Sequence, residues 1–282
     1  MLRKLTLAAF GLALMAAPAF AATTQKEAVD PSGGWVWSGP FGKFDKAQLQ
    51  RGYKVYREVC SACHSMEQLY FRNLGQKGGP FFDPKYPNPN DNPVVKSLAH
   101  DIQIKDVDTD TGDAIQRPGQ PSDRFPNPFA NAYAAAASNG GAAPPDLSVM
   151  AKAREGGPSY IYSLVGLGFE PAPAGLTVPA GKYYNPYYAG DVSANWHGKG
   201  PAPKGGFISM PPPLAPNKVT FDDKTPSTVQ NQARDVAAFL AWAAEPKQEE
   251  RKEFGLGAMI YLFIFSVLLY FSYKRVWRNV SH

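Results

Sequence analysis

The sequence predicts an all-α domain with long Pro/Gly-rich loops, followed by one C-terminal transmembrane helix. Three observations predict it. Three stretches carry apolar residues at helical spacing. The chain of 282 residues holds 27 prolines and 26 glycines, so helices should be few and short, with irregular chain between them. Residues 255–273 (GLGAMIYLFIFSVLLYFSY) run for 19 positions without a charge. At helical rise that run spans about 28 Å, close to a bilayer's hydrocarbon core.

In chain order, residues 1–21 come first. Arg3 and Lys4 precede an apolar run from Leu5 to Ala17, and Ala19-Phe20-Ala21 follows. This is the pattern of a cleaved secretory signal peptide with an A-x-A site. Residues 22–245 suit one exported, periplasmic domain. Its first helix should start near Asp45, an N-cap residue, with Leu49, Tyr53, Tyr56 and Cys60 on one face. A second helical region covers about 147–166 and is interrupted by Gly156-Gly157-Pro158. The third spans about 227–244, with Val229, Ala233, Val236, Leu240 and Ala241 on one face. Residues 246–254 (PKQEERKEF) read as a charged linker. The membrane helix at 255–273 follows, with Tyr261, Tyr270, Tyr273 and Trp277 suited to the interfaces. Lys274, Arg275 and Arg278 in the tail 274–282 hold the C-terminus in the cytoplasm by the positive-inside rule. The expected location is the inner (cell) membrane, crossed once.

The formal net charge of +5 is a targeting effect. Of 29 basic residues, five lie in the two terminal segments, and the remaining 24 balance the 24 acids. The exported domain is neutral, which gives no support for nucleic-acid binding.

The chemistry is carried by Cys60-Ser61-Ala62-Cys63-His64, which holds the only two cysteines of the chain. Cys-x-x-Cys-His is the attachment signature of a c-type haem. The two thiols add across the vinyl groups, and His64 becomes the proximal iron ligand. Rival readings fit less well. A disulfide across a two-residue gap is strained, a thioredoxin-like pair needs a βαβ context, and zinc needs more ligands. One covalent haem c is expected, and export agrees with it.

The opposite axial ligand decides between carrier and catalyst. Met66 is too close to His64 to reach the far face, Met150 reads as core, and Met259 lies in the membrane run. Met210 lies between Gly205-Gly206 and Pro211-Pro212-Pro213, in a stiff loop that could hold a thioether still. Local context favours Met210, with His100 and His197 behind it. An open or displaceable sixth site would instead suit a haem peroxidase or a gas sensor. A tethered c-type cytochrome serving another dehydrogenase is a further alternative.

Several segments together carry a family resemblance. They are CSACHSM (60–66), NGGAAPPDLS (139–148), AREGGPSYIYSL (153–164), YYNPYYAG (183–190) and SMPPPL (209–214), followed by the C-terminal anchor. In order and spacing they resemble the cytochrome c1 family over nearly all of the mature chain, most closely its alphaproteobacterial members. That family provides the haem subunit of the ubiquinol–cytochrome c reductase (the respiratory cytochrome bc complex, complex III). The resemblance implies a c-type cytochrome domain with His64 and Met210 as axial ligands. It implies that Arg154 and Tyr160 meet the haem propionates and that Asn139, Pro144 and Pro145 line the pocket. It also implies partners: cytochrome b and a Rieske iron–sulfur protein within a dimeric complex, and a soluble or tethered cytochrome c as acceptor. His/Met ligation closes both faces of the iron and raises the potential. The chain is then an electron-transfer subunit with no catalytic acid or base of its own.

Two regions need separate comment. Asp191 to Lys204 is longer than in mitochondrial members and reads as a surface insertion, with Trp196 as its candidate for burial. No cysteine is left to staple it. Between Asp83 and Asp113 seven acids face three lysines, and within this stretch Val107–Asp113 reads as a solvated acidic loop lacking EF-hand spacing. Such a patch could steer a basic cytochrome c.

Overall fold

The computed structural model describes residues 25–279. The signal-peptide reading lies outside the described residues.

Helix α1 (Lys46–Glu58) begins where the Asp45 carboxylate accepts the Gln48 N–H at 2.7 Å. Its apolar face buries Leu49, Tyr53, Val55 and Tyr56. Helices α2 (Pro93–His100) and α3 (Ala132–Ser138) are capped by Asn92 and Asn131. Helix α4 (Met150–Ala153) and α5 (Gly157–Tyr162) are separated at Gly156, whose φ is +79°. Helix α6 (Val229–Ala244) starts at Thr228, which accepts from the Asn231 N–H. Helix α7 (Gln248–Trp277) is the anchor candidate.

The core is built on α6. Ala233, Ala237, Ala238, Phe239 and Trp242 are fully buried, and α1, α4 and α5 all pack against it. Helix α1 crosses α6 at Gly52, where an added Cβ would overlap the Asp235 carbonyl. Glycine is needed there for close approach. Phe239 then meets Tyr53 at 5.6 Å and Tyr56 at 5.8 Å between ring centroids. A polar clamp spans the same crossing. Arg51 of α1 pairs with Asp235 at 2.6 Å and with Asp223, in the loop before α6, at 2.5 Å. The N-terminal segment covers α5, where Trp35 donates to Ser159 Oγ at 2.8 Å and Val29 N–H to Ser163 Oγ at 2.8 Å.

The all-α expectation needs correction, because two small antiparallel ladders are present. Strands β1 (Gln103–Val107) and β2 (Ala114–Pro118) form a hairpin. Its tip is the stretch read as a solvated acidic loop. Asp108 accepts from the Asp110 and Thr111 N–H groups, and Gly112 supplies a φ of +77°. Those contacts reverse the chain tightly enough for its flanks to pair. Strands β3 (Tyr183–Asn185) and β4 (Gly206–Ile208) pair across the 191–204 insertion. The ladder, together with Tyr184 Oη donating to Lys204 O at 2.5 Å, does what a disulfide could have done. The buried anchor of the insertion is Val192, 1% exposed, in a cluster with Leu176 and Tyr184. Trp196 is half-buried beside that cluster and covers Gly198.

Residues 248–254, expected as linker, are the first turns of α7. Their charges dock on the domain. Lys252 Nζ donates to Trp37 O at 2.6 Å, Glu249 accepts the Phe44 N–H at 2.8 Å, and Glu253 pairs with Lys43 at 3.1 Å. Beyond them the helix is exposed, and α7 is long and apolar enough to cross a membrane.

Candidate haem centre

Helix α1 delivers the chain into a 3₁₀ turn over Cys60–Ala62. The Cys63 and His64 N–H groups both bond back to Cys60 O, at 3.1 and 2.9 Å, which keeps the two thiols and the imidazole on one short arc. Neither cysteine is in a disulfide. Burial pushes the Cys60 thiol up to about 12. That shift is opposite to the one that makes the reactive thiolate of a redox-active Cys-x-x-Cys pair.

His64 Nδ1 lies 2.8 Å from Pro145 O. A carbonyl can only accept, so Nδ1 carries the proton and Nε2 presents its lone pair. Burial lowers the His64 pKa, against the opposing effect of the Pro145 bond, so the ring is kept neutral. A neutral imidazole with one nitrogen committed to a carbonyl is the state an axial ligand needs. The residues present thus fit a covalent haem.

Pro145 does not stand alone. Leu147 N–H bonds to Ser65 O at 2.9 Å. Asp146 Oδ2 accepts from Ser65 Oγ and from the Glu67 N–H, both at 2.8 Å. Ser148 Oγ accepts the Gln68 N–H at 3.0 Å. Residues 145–148 are thereby laced to 64–68. Burial works to raise the Asp146 pKa, but the bonds from Ser148, Glu67 and Ser65 outweigh it and hold the carboxyl below its usual range. Sequence reasoning passed over Asp146 and Ser148. The available signal was an Asp two residues before a Ser in Pro-Pro-Asp-Leu-Ser, the pattern of an Asx turn.

Of the other expected residues, Arg154 and Tyr160 are brought together. The positive Gly156 and Gly157 φ angles turn the chain so that Tyr160 folds back. Burial raises the Tyr160 pKa, and the Arg154 guanidinium beside it opposes the rise. Pro144 is half-buried and Pro145 exposed. Asn139 ends α3 and spends its amide donor on Ala135 O at 2.8 Å, so that group holds its own helix.

Met210 follows β4 by two residues and is half-buried. Ser209 beside it accepts from Lys182 Nζ at 2.6 Å. Downstream, Leu214 packs on the main core, as do Val59 and Cys60. Ala215 O accepts from Gln232 of α6 at 2.8 Å. The positive charge of Lys218 acts on Cys60. The segment that carries Met210 therefore leads back towards the Cys60 turn. The rival histidines, His100 at the end of α2 and His197 in the insertion, are both exposed.

A paired-thiol turn, an imidazole with Nδ1 committed, and a long apolar helix define a c-type haem protein with a candidate membrane span. The family model described as "Cytochrome C1 family" matches residues 35–280, and the chain belongs to that family. It is 41% identical to "Cytochrome c1" of Rhodospirillum rubrum, over 88% of this chain and 87% of the relative. It is 37% identical to "Cytochrome c1" of Blastochloris viridis, over 96% of this chain and 94% of the relative. It is also 42% identical to "Cytochrome b/c1" of Bradyrhizobium diazoefficiens; there the match covers 89% of this chain but 36% of the longer relative. The protein is an electron-transfer cytochrome that carries one covalently bound haem c.

Proposed function

We propose that this chain is the membrane-anchored haem subunit of a ubiquinol–cytochrome c reductase, passing single electrons from a Rieske iron–sulfur protein to a cytochrome c. The observation that carries this reading is the His64 imidazole, its Nδ1 committed to the Pro145 carbonyl, within a cytochrome c1 family chain. The haem supplies reversible one-electron chemistry. The chain's residues attach it, orient its ligands and exclude water. Cys60 and Cys63 would form the thioethers, and His64 and Met210 would be the axial ligands. Arg154 with Tyr160 would hold the propionates: a guanidinium and a phenol are both donors to carboxylates. Asn139, Pro144 and Pro145 would line the pocket.

Helix α7 would anchor the domain to the inner membrane, with the haem domain periplasmic and Lys274, Arg275 and Arg278 in the cytoplasm. The partners would be cytochrome b and the Rieske protein, in a dimeric complex. The relatives' names "Cytochrome c1" and "Cytochrome b/c1" support that assignment. The acidic stretch would help recruit a basic cytochrome c. Within it Asp91, Asp101 and Asp106 already pair with Lys96, Arg57 and Arg117, so Asp83, Asp108, Asp110 and Asp113 would carry the steering.

Affinity purification of the tagged, detergent-extracted protein tests the assignment. A di-haem cytochrome b and a Rieske protein should co-purify with it. Recovery of the haem protein with a different dehydrogenase instead would refute it. Carbon monoxide added to the ferrous protein tests ligation. Rapid, tight binding at neutral pH would exclude Met210 as a stable sixth ligand.

A further inference from the structure

We propose that Asp146 is a positioning residue of the haem centre. Its carboxylate locks residues 145–148 onto residues 64–68 and so fixes the direction in which the Pro145 carbonyl meets His64. The proposal rests on the reading of His64 as an axial ligand.

The argument starts from proline. Its ring fixes φ of Pro145 near −65°, so the remaining freedom of the Pro145 carbonyl is ψ, which is the orientation of the peptide plane between residues 145 and 146. Asp146 holds that plane from the far side. Oδ2 takes two donors from the haem-motif segment, Ser65 Oγ and Glu67 N–H, each at 2.8 Å. Oδ1 takes the Ser148 N–H at 2.9 Å and closes a turn within its own segment. The carboxylate thus bridges both segments, while Leu147 N–H to Ser65 O and Gln68 N–H to Ser148 Oγ flank it at 2.9 and 3.0 Å. Ser148 is fully buried, so this bond has little water competing for it.

The geometry suits a carboxylate in particular. Asparagine would keep one acceptor and place an NH₂ group against the Glu67 N–H or the Ser148 N–H, donor facing donor. The turn would shift, and the Pro145 carbonyl with it. A weaker bond to Nδ1 makes the imidazole a poorer donor to iron, which disfavours the ferric state. The effect is therefore read in the iron, at a distance from the residue changed.

The test uses the full-length haem-loaded chain in detergent. Electron paramagnetic resonance of the ferric wild type comes first: a spectrum without a histidine ligand would overturn the ligand reading, and the proposal with it. With a histidine ligand present, the ferrous-to-ferric ratio is read at a fixed ambient potential. Asp146→Asn should raise it about tenfold, and Ser148→Ala about threefold, as expected for loss of a charged and a neutral hydrogen bond. Glu58→Gln removes an exposed charge near Cys60 and should leave the ratio near the wild-type value. If Asp146→Asn moves the ratio no further than Glu58→Gln, Asp146 does not position His64. If Asp146→Asn yields no haem protein, Ser148→Ala and Ser65→Ala decide. A raised ratio in both supports the clamp, and any other result overturns it.

Discussion

The turn at Cys60–His64 ends a helix that is seated on α6 through Gly52 and Phe239, and its far side is laced to residues 145–148 by hydrogen bonds from both segments. Met210 is mounted differently. It follows a ladder of three residue pairs, Tyr183 with Ile208, Tyr184 with Phe207 and Asn185 with Gly206. The apolar cluster beneath that ladder has only three buried members, Leu176, Tyr184 and Val192. One half of the proposed centre is thus part of the main core, and the other is a peripheral loop. Damage to the packing under the first should therefore appear as lost stability. Damage to the second should appear as changed chemistry at iron in a protein that still folds.

The largest expected effect breaks the core half. Phe239 is fully buried and stacks with Trp242 at 5.6 Å as well as meeting Tyr53 and Tyr56. Phe239→Ala should cost about 3–5 kcal/mol, read as a lower unfolding midpoint of the detergent-solubilised protein. Below that midpoint the haem spectrum should be unchanged. A spectral change at constant midpoint would reverse the comparison.

Met210→Leu probes the other half. The swap nearly conserves volume, so stability should move by less than about 1.5 kcal/mol. Ferrous haem should now bind carbon monoxide, and the potential should fall because the thioether that stabilises Fe(II) is gone. A variant that stays inert to carbon monoxide would show that Met210 is not the ligand.

Tyr184→Phe is a gentler version of the same probe. It removes the 2.5 Å bond from Tyr184 to Lys204 O and keeps the ring in its cluster. The loss should be about 1 kcal/mol. It should be confined to residues 186–205, as faster amide hydrogen exchange there with α6 unaffected. Faster exchange spread over the whole domain would mean that the loop and the core share one cooperative unit.

What the sequence disclosed follows the same division. Local signals carried the core half. Asp45 before an apolar helical face announced α1, and His64 was legible as a candidate because a histidine next to a paired-cysteine motif needs no tertiary information. Pro93 after Asn92 was an equally local start signal for α2, and it went unused. The remainder depends on pairings far apart in the chain. Strands β3 and β4 are three residues each, too short to show a period. The partners of Ser65 and Glu67 lie about 80 residues away on Asp146. Val192 is buried by the ladder and by Leu176 and Tyr184, whereas the larger Trp196 drew attention by size alone.

The smallest expected effect concerns the tie between the two halves. Arg51 of α1 holds Asp223, in the stretch between Met210 and α6. The Thr225 N–H and hydroxyl, and then Arg51, pull the Asp223 pKa down to about 2. An aspartate in an unfolded chain titrates near 3.9. With the folded value depressed, the contribution is complete above about pH 3.9 and is lost as pH falls towards about 2. Asp223 is well exposed, so solvent screening keeps the effect small. From neutral pH down to about 4 the methionine-to-iron charge-transfer band should therefore hold steady, and below that it should fade. In Asp223→Asn that acid-dependent fading should be weakened, with the neutral spectrum close to wild type. If the variant fades over the same range, the Arg51–Asp223 pair does not couple the core half to the Met210 loop, and the coupling runs through other ties, among them the burial of Val219 and Phe221 in the main core, the packing of Leu214 and the Gln232 bond to Ala215.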